Sequence, residues 1–137
     1  FLKEQYQRFI KSEGENNYLS TGLSKSFPLG VSVEIFSMYL LEKAYNNSTL
    51  PGELEHVTPY MHQNKPGNIN IVKVKRKENR YHYRLTVDTP EDFFLNKILI
   101  EEFACDKKNI EEIIQILDNN QELIRLNNSS IQKKWDE

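Results

Sequence analysis

The chain has 137 residues, of which 38% are hydrophobic and 28% charged, and its net charge of −2 argues against a protein built mainly to hold nucleic acid. No apolar run approaches the roughly 20 residues that a membrane span needs, and residues 1–13 are too charged for a signal peptide. The single Cys105 excludes an internal disulfide and a cysteine-based zinc site, and together these features favour a reducing cytoplasm.

Strands alternate with helices in the predicted pattern, without an internal repeat, which indicates an α/β class. In chain order the first predicted elements are a helix over 1–13, a strand over 17–21, a loop over 24–30, a strand over 31–36, a helix capped by Ser37, and a helix over 53–64 that is interrupted or kinked at Pro59. Strands over 69–74 and 80–87 follow, with a possible hairpin between them, and then helices over 90–105, from Asn109 and over 121–126.

The two ends of the chain carry further expectations. Leu2, Tyr6, Phe9 and Ile10 already stand at helical spacing although no Met precedes them, so we expect a part of a longer protein. Residues 1–137 would be part of one domain, with a frayed polar tail over 127–137.

Four residues after the last predicted strand have different explanations. Thr89 suits a helix N-cap, Pro90 suits the first helical position, and Asp92 stands where a capping-box acid can reach back. Asp88 precedes this cap, which does not need it, and it follows a strand, where ligands bind in open α/β sheets. A lone carboxylate there could hold Mg²⁺, or it could be a solvated surface acid.

Other candidate residues have a structural interpretation beside a functional one. Glu55 and His56 could form an acid–base pair, or His56 could fix a helix end or an interface. His62 lies six positions after His56, off the same helix face, which argues against a two-histidine metal site. Glu34 on the polar face of its strand faces either water or a substrate cleft.

The basic stretch "KVKRKENRYHYR" interleaves Tyr81 and Tyr83 with positive charge. Such a stretch could contact nucleic-acid phosphates and stack on bases. With this overall charge, a solvated hairpin tip is the favoured interpretation.

Three sequence blocks in a fixed order resemble a known family. "FPLGVSVEIFS", "LEHVTPYMHQN" and "YRLTVDTPEDFFLNKIL" are similar to the carboxyl-terminal half of the cytidylyltransferases grouped with spore coat polysaccharide biosynthesis protein F, which are relatives of the CMP-Kdo and acylneuraminate cytidylyltransferases. The similarity runs from about Asn17 to Phe103. It implies the carboxyl-terminal half of a Rossmann-like nucleotidyltransferase, with a mixed sheet flanked by helices.

The resemblance also implies an activity and a site. The intact protein would transfer CMP from CTP to a sugar acid with Mg²⁺, releasing pyrophosphate, for cell-surface or spore polysaccharide synthesis. Asp88 matches one of the family's two metal aspartates, whereas Glu34, Glu55, His56 and Arg84 match positions that we hold as substrate-side or interface candidates. The expected partners are CTP, a sugar acid and a second copy in a homodimer, without nucleic acid or membrane.

The sequence departs from the family pattern in specific places. The glycine-rich nucleotide-binding loop and the first metal aspartate have no counterpart in this chain, so we expect the chain alone to be inactive. Leu54 stands where the family commonly has Arg, and Ser32 where it commonly has Asp. These two changes support an alternative function, that of a non-catalytic relative acting as a binding or assembly domain.

Overall fold

A computed structural model of the chain describes residues 2–11 and 14–130. The helices are α1 (Leu2–Lys11), α2 (Met38–Asn47), α3 (Pro51–His56), α4 (Pro59–His62), α5 (Pro90–Glu101), α6 (Ile110–Asn119) and α7 (Gln121–Ile124), and the strands are β1 (Asn17–Ser20), β2 (Glu34–Phe36) and β3 (Asn70–Lys73). Among the described residues, one compact unit contains the residues up to 23 and Val33–Val74, and a second contains Ser24–Ser32 and residues 75–130.

The first unit contains a mixed three-stranded sheet with β1 in the middle. β2 runs antiparallel to β1, with Phe36 opposite Tyr18, and β3 runs parallel to β1, with Ile71 opposite Tyr18. All four residues of β1 are buried. Tyr18 also belongs to the unit's apolar core, to which α2 contributes Leu40 and Ala44. The predicted α/β class with a mixed sheet is confirmed.

The second unit is helical, and α6 follows its sequence pattern closely. Ile114 and Leu117 are buried in the core, and Ile110 and Ile113 pack against it, so one face of α6 is covered as the periodicity predicts. Asn109 caps α6 by accepting from the Glu112 backbone N–H at 3.2 Å, and the Glu112 carboxylate accepts from the Asn109 N–H at 2.9 Å. Cys105 lies in the same core.

The strand predicted over residues 80–87 is absent, and with it the hairpin. This segment forms a single parallel bridge between Leu29 and Arg84. The bridge consists of Leu29 N–H donating to the Tyr83 carbonyl at 2.7 Å and Leu85 N–H donating to the Leu29 carbonyl at 2.8 Å.

The residues on either side of Leu29 explain why the pairing stops there. Pro28 has no N–H to extend a ladder. Gly30 has φ +91°, and a Cβ on it would lie 2.7 Å from the Thr86 nitrogen, so the two segments approach too closely for a side chain. The alternation in the sequence is present, but it lacks a partner strand.

The interruption predicted in the helix over 53–64 is present, but it lies at Val57, where φ is +65°, and Pro59 begins the second of the two helices, α3 and α4. The prediction for the tail needs correction. Asn127, expected in the frayed tail, is 1% exposed and donates hydrogen bonds inside the second unit. Residues 131–137 of that tail lie outside the described residues. Within the described ranges, no helix combines the length and apolar character needed to cross a bilayer.

Candidate functional site

Asp88 lies in the second unit, in the turn between the extended segment over residues 80–87 and α5, and this turn is the corner of the site. Thr89 is the N-cap of this helix, since its hydroxyl accepts from the Asp92 N–H at 3.2 Å, and Pro90 takes the first helical position. The Asp88 side chain is 56% exposed, and one of its oxygens lies 3.2 Å from Arg84 Nη2. The cap therefore presents an accessible carboxylate at the start of a helix.

Asp92 has a different role from the capping-box acid that the sequence predicts. Its side chain is completely buried, and it does not complete a capping box with Thr89. It accepts hydrogen bonds from Arg84 Nε at 2.8 Å, the Thr86 hydroxyl at 2.8 Å, the Asp88 N–H at 3.1 Å and Asn127 Nδ2 at 2.7 Å. Asp92 is thus the centre of a buried polar network.

The electrostatics of this network keep Asp92 and Arg84 charged. Burial alone would raise the pKa of Asp92, but hydrogen bonds from Arg84, Thr86 and Asn127 outweigh it and hold that pKa well below its usual range. The hydrogen bond to Asp92 in turn raises the pKa of Arg84. The family resemblance implies a substrate-side role for Arg84, and in the structure its side chain is only 7% exposed and paired with Asp92.

The donor set at this corner fits one part of a magnesium site. Among the described residues, no three or more His, Cys, Asp or Glu side chains are grouped so that they could hold a metal ion. Asp88 offers one accessible carboxylate, and Mg²⁺ typically uses one or two protein carboxylates together with water and substrate phosphates. The corner can therefore supply a single hard ligand.

Glu34, in the first unit, is exposed on β2 and joins a polar cluster. The buried Tyr18 hydroxyl donates to a Glu34 carboxylate oxygen. Burial and this carboxylate raise the pKa of Tyr18, so the phenol stays protonated and remains a donor near neutral pH. Burial lowers the pKa of His62, which the negative charge of Glu34 partly opposes. The cluster offers an exposed acceptor fixed by a buried donor.

Glu55 and His56 are exposed at the end of α3, next to a strained turn. Val57 has φ +65° and ψ −48°, and Thr58 N–H donates to the His56 carbonyl at 2.7 Å, which defines a γ-turn. A β-branched residue rarely adopts positive φ, and such strain is concentrated at functional positions. The turn is an independent reason to keep Glu55 and His56 as candidates.

An apolar groove of about 350 Å³ lies in the same unit, lined by residues of α2 and α3. Leu54, the departure from the family pattern, is 58% exposed and lines this groove beside Tyr45, which is 78% exposed. Glu53, which also lines the groove, is buried and pairs with Lys65. Where the resembled family has a cation, this chain therefore presents an apolar wall.

Sequence reasoning missed three residues of these clusters. Thr86 could have been found, because Arg84, Thr86 and Asp88 alternate along one extended segment and so share a side of it. Tyr18 and Asn127 gave no such signal, since their partners lie far away in the sequence.

Two arginines of the basic stretch pair with acids of their own unit. Arg76 makes a bidentate pair with Glu111, and Arg80 lies 3.0 Å from the Asp118 carboxylate. Asp118 also accepts from the Tyr83 hydroxyl. Both acids belong to α6, which removes much of the positive field that a nucleic-acid site requires.

Comparisons with known proteins agree with the architecture. No family model matches the chain. An uncharacterized protein of Methanocaldococcus jannaschii is 36% identical over an alignment of 138 positions, which covers 99% of this chain and 54% of that protein. A solved structure of a cytidylyltransferase from Leptospira borgpetersenii covers 96% of this chain with a TM-score of 0.82 and 28% identity, again over 54% of its own length.

These matches fix the fold and the extent of the similarity. The α/β arrangement, with a mixed three-stranded sheet flanked by helices, matches a cytidylyltransferase-like nucleotidyltransferase fold. The chain spans about half the length of both proteins that it matches.

Proposed function

We propose that this chain is the carboxyl-terminal, acceptor-side and metal-completing half of a cytidylyltransferase that transfers CMP from CTP to a sugar acid. The observation that carries the proposal is the fold match to a cytidylyltransferase over 96% of the chain. The three ordered sequence blocks support the finer assignment to the family of spore coat polysaccharide biosynthesis protein F. In that assignment the product serves cell-surface or spore polysaccharide synthesis.

The proposed reaction is a displacement at phosphorus. An oxygen of the sugar acid loses its proton and bonds to the α-phosphorus of CTP, while the bond from that phosphorus to pyrophosphate breaks. Mg²⁺, when bound, supplies charge neutralisation on the transferring and leaving phosphates. Asp88 is the residue of this chain that would hold it. The nucleotide-binding loop belongs to the other half of the proposed enzyme, so this chain alone is expected to be inactive.

Residues of the first unit would bind the acceptor. The exposed Glu34 carboxylate can accept hydrogen bonds from sugar hydroxyls, and the Tyr18 hydroxyl holds it in place. His56, exposed next to the strained Val57, can donate to the carboxylate of a sugar acid. Specificity would depend on Leu54 and the apolar groove, because Leu54 replaces the cation that the family commonly has at that position.

A turnover assay tests the proposal. The longer protein that contains this chain, given CTP, Mg²⁺ and a panel of sugar acids, should release pyrophosphate. Asp88→Asn should abolish the release without changing the circular dichroism spectrum. Glu91→Gln is the matched control, since Glu91 is an exposed acid in the first turn of the same helix. Normal turnover of Asp88→Asn would contradict the metal role.

Silence with every sugar acid would contradict catalysis and favour the non-catalytic relative, for which Leu54 and Ser32 are the supporting departures. Homodimerisation and a cytoplasmic location complete the proposal, and sedimentation velocity and cell fractionation test them.

A further inference from the structure

The buried carboxylate of Asp92 contacts Asp88 through the main chain. Asp92 Oδ2 accepts from the Asp88 N–H at 3.1 Å, and the same oxygen accepts from the Thr86 hydroxyl at 2.8 Å and Arg84 Nη2 at 2.9 Å. Asp92 Oδ1 accepts from Asn127 Nδ2 at 2.7 Å. The backbone position of Asp88 is therefore set by an anion whose own position is fixed by three side chains.

The charges at the corner also leave Asp88 negative. Arg84 lies 3.2 Å from an Asp88 oxygen, and a lone guanidinium there would cancel the charge of that carboxylate. Asp92 prevents this, since its buried carboxylate already neutralises Arg84 through bonds of 2.8 and 2.9 Å. The three side chains together carry one net negative charge, and only Asp88 is exposed among them.

The segment after α7 supplies further hydrogen bonds to this network, although it lies far from Asp88 in the sequence. Asn127 Nδ2 donates to the Arg84 carbonyl at 3.0 Å as well as to Asp92. The Ser130 hydroxyl lies 3.2 Å from that of Thr89, the residue that follows Asp88. This segment thus holds residues on both sides of Asp88, namely Arg84 and Thr89.

We propose that Arg84, Thr86, Asp92 and Asn127 are positioning residues, which fix the Asp88 backbone so that its exposed carboxylate meets a divalent cation in one geometry. The inference rests on the proposed function, in which Asp88 binds the metal. Partners that orient a metal ligand typically change metal affinity by about 10- to 100-fold when they are removed.

Nuclear magnetic resonance of this chain with Mn²⁺ as the probe tests the inference without turnover. Mn²⁺ should broaden the Asp88 amide signal, and Asp88→Asn should remove the broadening. Thr86→Val deletes one hydrogen bond to Asp92 at nearly constant volume and should raise the Mn²⁺ concentration that half-broadens the Asp88 amide signal, by up to about tenfold. Thr86→Ser, which keeps the hydroxyl, should show the wild-type dependence of broadening on Mn²⁺ concentration.

Hydrogen exchange of the Asp88 amide provides a second measurement. Thr86→Val and Asn127→Ala should speed its exchange, whereas Asn120→Ala should leave it unchanged, since Asn120 Nδ2 donates to the Ile116 carbonyl at the end of α6, away from this network. The Thr86 variants keep the test valid if Asn127→Ala does not fold.

The two proposals fail in distinguishable ways. Unchanged broadening in Asp88→Asn would overturn the metal assignment and, with it, the positioning role. Loss of broadening in Asp88→Asn, combined with wild-type Mn²⁺ dependence in Thr86→Val, would overturn the positioning role alone.

Discussion

At the scale of single residues, the buried pair of Arg84 and Asp92 illustrates how a charge can be necessary without adding much net stability. Desolvating both ions costs several kcal/mol each, and their attraction together with hydrogen bonds from Thr86 and Asn127 offsets this cost. The pair fixes one arrangement of the corner, and removing one member leaves the other charge buried without its partner.

Arg84→Met is accordingly expected to lower the free energy of unfolding by about 3–5 kcal/mol, because it leaves the Asp92 carboxylate buried and unpaired. Urea unfolding of the chain measures the change. Arg8→Met is the control: Arg8 pairs with Glu4 on the surface, with side chains 55% and 59% exposed, and should cost at most about 1 kcal/mol. Equal losses in the two variants would contradict the structural role of the buried pair.

The half-buried His62 predicts a pH dependence of stability. Because its pKa is lowered by burial, the folded protein binds this proton less tightly than the unfolded chain does. The contribution of His62 to the free energy of unfolding is therefore fully present above the unfolded pKa, near 6.5, and it is lost as the pH drops below that value. Urea unfolding at pH 7 and 5.5 should reveal a smaller fall in the free energy of unfolding for His62→Gln than for wild type.

The sequence identifies the acids near α5 but not which structural role each of them has. Thr89 and Pro90 act locally, within one turn, so their positions are readable from spacing. The Asp92 side chain reaches Arg84 and Thr86 as well as Asn127, and Asn127 lies far along the chain. No local pattern encodes such a contact.

At the scale of elements, the same distinction separates α6 from the missing strand over 80–87. A helix satisfies its own backbone, so an amphipathic repeat and the Asn109 cap suffice to predict it. A strand requires a partner with free N–H groups in register, and Leu29, flanked by Pro28 and Gly30, offers only one bridge. Alternation therefore correctly identifies an extended segment and wrongly assigns it to a sheet.

Gly30 gives a test of that bridge. Gly30→Ala should destabilise the chain by about 1–3 kcal/mol more than Gly67→Ala, since the added methyl group would collide with the Thr86 and Leu85 backbone. Gly67 is the matched control: it also has positive φ, at +78°, but no atom lies within 4 Å of the position that its added methyl group would take. Thermal unfolding of both variants provides the comparison, and indistinguishable losses would contradict the close approach.

At the scale of the whole molecule, the distribution of charge argues against nucleic-acid binding. The net charge is −2, and Arg76 and Arg80 of the basic stretch pair with acids of α6. We expect no salt-dependent binding of single-stranded DNA between 50 and 200 mM salt, measured by filter binding.

A double variant sharpens this prediction. Glu111→Gln combined with Asp118→Asn leaves the basic residues without these acidic partners and should create weak binding that disappears at the higher salt concentration. Strong binding by the wild-type chain would instead revive the nucleic-acid alternative.

Cys105 gives the second unit a built-in chemical reporter. It is the only cysteine in the chain, it lies in that unit's core, and burial raises the pKa of its thiol. Because the thiolate is the reactive form, an added disulfide reagent should modify it chiefly when this core opens. The rate of modification therefore measures how readily the core of the unit that carries Asp88 opens, without any engineered label.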